Sequence, residues 1–179
     1  MKVARVSRTI ARLEGAMAHL SNIALFLIMI IVVIDVALRY IFNRPLDWAY
    51  DVIALYLMVS VFFFALSDTL HHHGHVSIDV LLKYIPKWIR HLGEAIGYTF
   101  CTFVFAIVTL QAWERLEESY RLDEVLASAY NWPTSIAFVP LVIGSAVLTL
   151  RLFYRAIGHA LSIASPEPIV ELPPPPEMQ

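Results

Sequence analysis

The sequence predicts an all-α membrane protein with four transmembrane helices. Both termini are expected on the cytoplasmic side, with a short amphipathic helix lying in the interface between the second and third spans. Three observations predict this. First, 59% of the 179 residues are hydrophobic and only 16% are charged, whereas a soluble domain is about 45–50% apolar and about 25% charged. Second, four stretches lack Asp, Glu, Lys and Arg, at residues 15–34, 52–67, 95–113 and 125–150, and a span needs about 20 mostly apolar residues. Third, all four tryptophans (Trp48, Trp88, Trp113 and Trp132) fall at the ends of these stretches, where amphipathic rings sit at headgroup level. The same composition argues against a soluble enzyme, a disordered chain and a nucleic-acid binder, each of which carries more charge. A lone cysteine, Cys101, allows no internal disulfide and no Cys-based zinc site.

The first span is expected at about 15–38. Lys2, Arg5, Arg8 and Arg12 precede it as they would a secretory signal. Its apolar run exceeds the ~7–15 residues of a signal core, however, and no small-residue cleavage site precedes Arg39. The segment reads as an uncleaved anchor. Near its end Asp35 and Arg39 stand four apart on one helix face and are expected to pair; an intramembrane ion or proton site at Asp35 is the sharper alternative. Asn43-Arg44-Pro45 then supplies turn chemistry, because Asn tolerates turn conformations and a residue before proline is pushed out of the helix.

The second span is expected at about 48–67, lengthened by interfacial residues 48–50. Beyond it lie four histidines in the run 71–75. From Ser77, the apolar positions 78, 81, 82 and 85 recur at helical spacing, which predicts the interfacial amphipathic helix. Ser77 is its expected cap and Asp79 suits its positive end. Pro86 ends that helix and opens the next, which carries Trp88 into a third span at about 92–113. Asn131-Trp132-Pro133 reads as the start of the fourth span, at about 132–152. Asn131 would be the cap, Pro133 would occupy the first turn, and Pro140 would kink the helix. The four spans form one membrane domain over 1–161. Residues 162–179 hold six of the ten prolines and are expected to form a disordered or polyproline-II cytoplasmic tail.

Orientation follows from Lys and Arg outside the spans. Nine lie on the side of the termini and four on the other, so the termini are expected in the cytoplasm. The seven histidines all fall at that side, and clustered imidazoles could ligate a metal or a haem. A haem-binding, cytochrome-type anchor is therefore the main alternative function. Against it, the span interiors hold no facing histidines, so contacts with headgroups or a partner are the expected role. No nucleophile-plus-base pair or glycine-rich phosphate loop appears, so no catalytic residue, metal or cofactor is expected. Nor do the spans show the midplane polar groups and repeated broken helices of a carrier. The residues alone point to a small helical subunit that associates with something larger.

The loop residues carry a resemblance. Arg39-Tyr40-Ile41-Phe42-Asn43-Arg44-Pro45-Leu46-Asp47-Trp48, with Asp51 following, resembles the signature after the first helix in the small membrane subunit of TRAP (tripartite ATP-independent periplasmic) transporters. His75-Val76-Ser77-Ile78-Asp79-Val80-Leu81 with Pro86 is similar to the family's second signature, and Pro133, Pro140 and Gly144 are similar to its fourth helix. The resemblance covers about residues 15–158. The sequence departs from the family pattern at Tyr50, where a second acid is common, and at His72 and His73, where a basic residue is common. The resemblance implies a bacterial inner-membrane system of three parts: a periplasmic solute-binding protein, a large multi-span carrier subunit and this small subunit. Such systems import organic acids, often carboxylates such as C4-dicarboxylates or sialic acid, with sodium. The small subunit serves as a scaffold for the carrier and helps to dock the binding protein. The residues then implied at interfaces or in shaping loops are Arg39, Tyr40, Phe42, Asn43, Pro45, Leu46, Trp48 and Asp51 on the outer side. His75 and Asp79 are implied on the inner side.

Overall fold

A computed structural model describes residues 2–71, 86–126 and 130–164. Four long helices account for nearly all of them. α1 runs Lys2–Phe42. α2 begins as Ala49–Asp51, passes through a π-helical turn at Val52–Leu57 and continues as Met58–His71. α3 is Lys87–Arg121 and α4 is Thr134–Ala164. Each contains a stretch long and apolar enough to cross a bilayer: Ile10–Phe42, Ala49–Leu70, Ile89–Arg121 and Thr134–Ser162. The expected interfacial helix, with His75 and Asp79, and the proline-rich tail lie outside the described residues.

The helices outrun the expected spans at most of their ends, because charged residues continue the helix once it has left the hydrocarbon. α1 is 41 residues long, about 60 Å at ~1.5 Å per residue, roughly twice the ~30 Å hydrocarbon core. α3 opens as expected at Pro86, whose carbonyl accepts the amides of Ile89 and Arg90 at 3.1 and 3.2 Å. It closes on Asp123, at φ 50°. There the amides of Asp123 and Glu124 reach back to the carbonyls of Tyr120 and Ser119 at 3.4 and 3.1 Å, the paired bonds of a left-handed helix cap.

The start of α4 differs from expectation. Asn131 does not cap it. Instead, Val125 and Pro133 form an antiparallel bridge, the Leu126 amide donates to the Trp132 carbonyl, and the Thr134 amide donates to the Glu124 carbonyl, both at 2.9 Å. The helix therefore begins at Thr134, one residue beyond Pro133, with a first-turn amide satisfied by the preceding chain rather than by a side chain. Pro140 sits inside α4, which is one continuous helix through that position.

α4 is the hub. Its most apolar window is 39% buried, against 6–11% in the other three helices. α3 packs along α4, α2 also packs against α4, and α1 lies against α2 and touches α4. The apolar core is correspondingly slight: Leu70, Leu148 and Leu152, with Leu66, Tyr98 and Phe105 packed on it. The other large apolar side chains along the spans are mostly exposed or half-buried, while Glu14, Ser21, Ser67, His91, Ser145, Arg151, Arg155 and His159 are buried. This inverts the polarity of a soluble domain and suits a chain whose outer solvent is lipid. Several threonine hydroxyls within the spans turn back on their own helices. Thr99, Thr102 and Thr109 each donate to the carbonyl four residues earlier, at 2.7, 2.7 and 2.8 Å, so these hydroxyls are satisfied within their own helix.

Candidate functional site

Two constellations stand at opposite ends of the helices. The first lies where α1 turns into α2. α1 stops because Asn43 adopts a left-handed conformation, φ 53°, which Asn enters more readily than most residues that carry a Cβ. The Arg44 amide then reaches back to the Leu38 carbonyl at 3.2 Å. Asp35 holds this turn from below. One carboxylate oxygen accepts from the Arg39 guanidinium and the other from the Leu46 amide, each at 2.7 Å. The expected ion pair is present, and Asp35 also clamps the loop to the helix, a role that sequence spacing did not reveal.

Of the residues expected to shape this loop, the structure brings Arg39 and the backbone of Leu46 together on Asp35, and Asn43 makes the turn. Phe42, Pro45 and Leu46 line a shallow open hollow with Leu38 and Arg44. Trp48 is half-buried at the start of α2, and Asp51 lies in that helix's first turn, where the helix dipole favours an acid. Tyr40 and Tyr50 are 85% and 79% exposed. The π-helical turn of α2 carries Tyr56, whose hydroxyl donates to the Pro133 carbonyl at 2.8 Å and whose ring meets Trp132 edge-on at 6.2 Å. The two connections at this end are thus tied through α2.

The second constellation is buried at the end that bears the termini. Arg151 of α4 donates through Nε to Glu14 Oε1 of α1 at 2.7 Å, and its Nη2 pairs with the other carboxylate oxygen. Ser67 of α2 donates to the same Glu14 Oε1 at 2.6 Å. Three helices are locked at one two-pronged, charge-assisted contact whose carboxylate is wholly inaccessible. Farther along α4, His159 and His91 of α3 approach Nδ1 to Nδ1 at 3.1 Å, so one ring is protonated there and the other accepts. Tyr98 stacks on His159 with an interplanar angle of 14°, and its hydroxyl accepts from Arg155 at 3.0 Å.

These positions correct two expectations. Arg151 and Arg155 do not behave as free loop cations, since both are buried. His91 and His159 do not turn to headgroups; they face each other between α3 and α4. That juxtaposition does not favour the haem-anchor alternative, because rings in direct hydrogen-bonding contact leave no room for a macrocycle between them. Among the described residues no group of three or more His, Cys, Asp or Glu side chains is placed to hold a metal ion. The signal for this cluster lay in α4 itself. Arg151, Arg155 and His159 recur every four residues and mark one polar face on a helix that outruns its apolar stretch.

Fold and clusters together define a polytopic helical membrane protein joined by polar contacts between helices more than by an apolar core. Residues 28–161 match the family described as the DctQ component of the tripartite ATP-independent periplasmic transporters. The chain belongs to that family, and is the small membrane subunit of a TRAP transporter. We found no significant match to a curated protein or to a solved structure.

Proposed function

We propose that this subunit is the non-catalytic scaffold of a sodium-driven importer of an organic acid, a carboxylate in keeping with TRAP systems. It works in the bacterial inner membrane beside a large multi-span carrier subunit that receives solute from a periplasmic binding protein. One observation supports the scaffold role above others: several buried polar groups on different helices are engaged with one another. Glu14 is held by Ser67 and Arg151, His91 by His159, and Ser21 donates to the Val61 carbonyl at 3.0 Å. Groups committed to holding helices together are not offered to a cargo, whereas the outward faces are apolar and open to lateral packing.

Cytoplasmic termini agree with the charge distribution even when the buried Arg151 and Arg155 are set aside, since seven Lys and Arg then stand against four. On that orientation the Asp35 clamp, with exposed Tyr40, Phe42 and Tyr50 around it, faces the periplasm and is where the binding protein docks. His75 and Asp79 fix the interfacial helix on the cytoplasmic side. Replacing Arg39 by Ala frees Asp35 from its cation, and replacing Trp48 by Ala removes the ring that starts α2. Both substitutions are expected to lower uptake through lost assembly with the large subunit, while solute binding to the periplasmic protein stays unchanged. Normal recovery of the large subunit with either variant, together with lost uptake, contradicts the scaffold role of that residue.

A further inference from the structure

The outward surface of α1 is not uniform. Its inward seam, with Ile10, Glu14, Met17, Ser21 and Ala24, repeats at alternating spacings of three and four and is buried. A second stripe at the same spacings lies about 130° round the helix from it, at ~100° per residue. This stripe comprises His19, Asn22, Phe26, Met29, Val33 and Val36 and runs on to Tyr40, all of it exposed. A neighbouring exposed face carries Leu20, Ile23, Leu27, Ile30 and Ile34, with no polar atom beyond the backbone. Bare aliphatic side chains suit lipid. The stripe does not, because of Asn22.

Glu14 and Asp35 lie on the order of 30 Å apart along α1 at ~1.5 Å per residue, about one hydrocarbon thickness. Taken as the two boundaries, they place Asn22 within the hydrocarbon, about 12 Å from Glu14 by the same rise. Its amide has two donors and an acceptor, and its side chain makes no hydrogen bond among the described residues. Acyl chains offer it none. Within a bilayer such side chains hydrogen-bond across helix pairs, and a single Asn in a seven-residue apolar repeat selects one partner helix in one register.

We propose that this stripe is the seam for one transmembrane helix of the large carrier subunit, crossing α1 at a shallow left-handed angle and presenting a hydrogen-bonding group opposite Asn22. The inference rests on the scaffold reading for its partner. A full-length crossing helix is the occupant that fits, because the stripe extends from His19 near one boundary to Tyr40 beyond the other.

The test uses the complete transporter in membranes, with a photo-crosslinking side chain placed at Met29 or Val33 on the seam and at Leu27 or Ile34 on the aliphatic face. The seam positions are expected to yield adducts with the large subunit and the aliphatic positions adducts with lipid. Asn22→Leu is expected to cut recovery of the large subunit in detergent by about threefold or more, the scale of one interhelical hydrogen bond in a membrane, and Asn22→Gln to retain most of it. Adducts confined to Leu27 and Ile34, seam adducts with a second copy of this chain, or full recovery with Asn22→Leu overturn the seam. If the wild-type chain fails to co-purify with the large subunit at all, the scaffold reading falls and takes the seam with it.

Discussion

Replacing Arg151 by Leu leaves the Glu14 carboxylate in an inaccessible site with only the Ser67 hydroxyl beside it. Breaking a buried pair from one side costs about 3–5 kcal/mol, whereas exchanging both partners for apolar side chains is often neutral. The expected outcome is that Arg151→Leu and Glu14→Leu each lower the melting temperature and membrane abundance, and that the double variant recovers most of the loss. Single variants as stable as wild type would show that the contact does not hold the three helices. Sequence reading missed this residue-scale feature for a definable reason. Glu14 precedes the first uncharged stretch and Arg151 follows the last, so each reads as a loop charge; only folding brings residues so distant in the chain together. The Asp35–Arg39 pair was legible because its partners are one helical turn apart.

At the scale of elements, the approach of α2 to α4 is set by one residue. A Cβ on Gly144 would stand 2.5 Å from the Phe63 carbonyl oxygen and 2.7 Å from its Cβ, whereas one on Gly97 would meet nothing within 4 Å. Small residues at crossings are how membrane helices pack without a hydrophobic driving force between them. Gly144→Ala is therefore expected to destabilise the detergent-purified subunit by about 1–3 kcal/mol, the scale of overpacking, and Gly97→Ala to leave it unchanged or slightly more stable. Thermal unfolding of both variants checks this, and equal losses would contradict the close crossing. The number, order and apolar cores of the spans were legible because lipid imposes both length and composition. Their ends were less so, since Arg121 and the residues beyond Leu150 remain helical outside the uncharged stretches. The π-helical turn at Val52–Leu57 left no mark in an apolar pattern that either helix type satisfies. The start of α4 was missed because Asn131 is a good cap by residue type, while the Glu124 carbonyl that satisfies the Thr134 amide is ten residues away.

For the whole molecule, the family was legible in the loop signature around Asn43 and Pro45, and residues 28–161 carry the match. The end that bears the termini was not legible in the same way. The histidines signalled chemistry by type, but His91 and His159 each turn one ring nitrogen to the other. Helices tied to one another by buried polar contacts, with a largely apolar exterior, are what the proposed scaffold role requires. The most direct test is reconstitution of sodium-free proteoliposomes containing this subunit alone, the large subunit alone, or both, with sodium, the periplasmic binding protein and its solute added outside. Uptake is expected only where both membrane subunits are present. Accumulation of solute by vesicles holding this subunit alone, or full uptake by vesicles that lack it, would contradict the account.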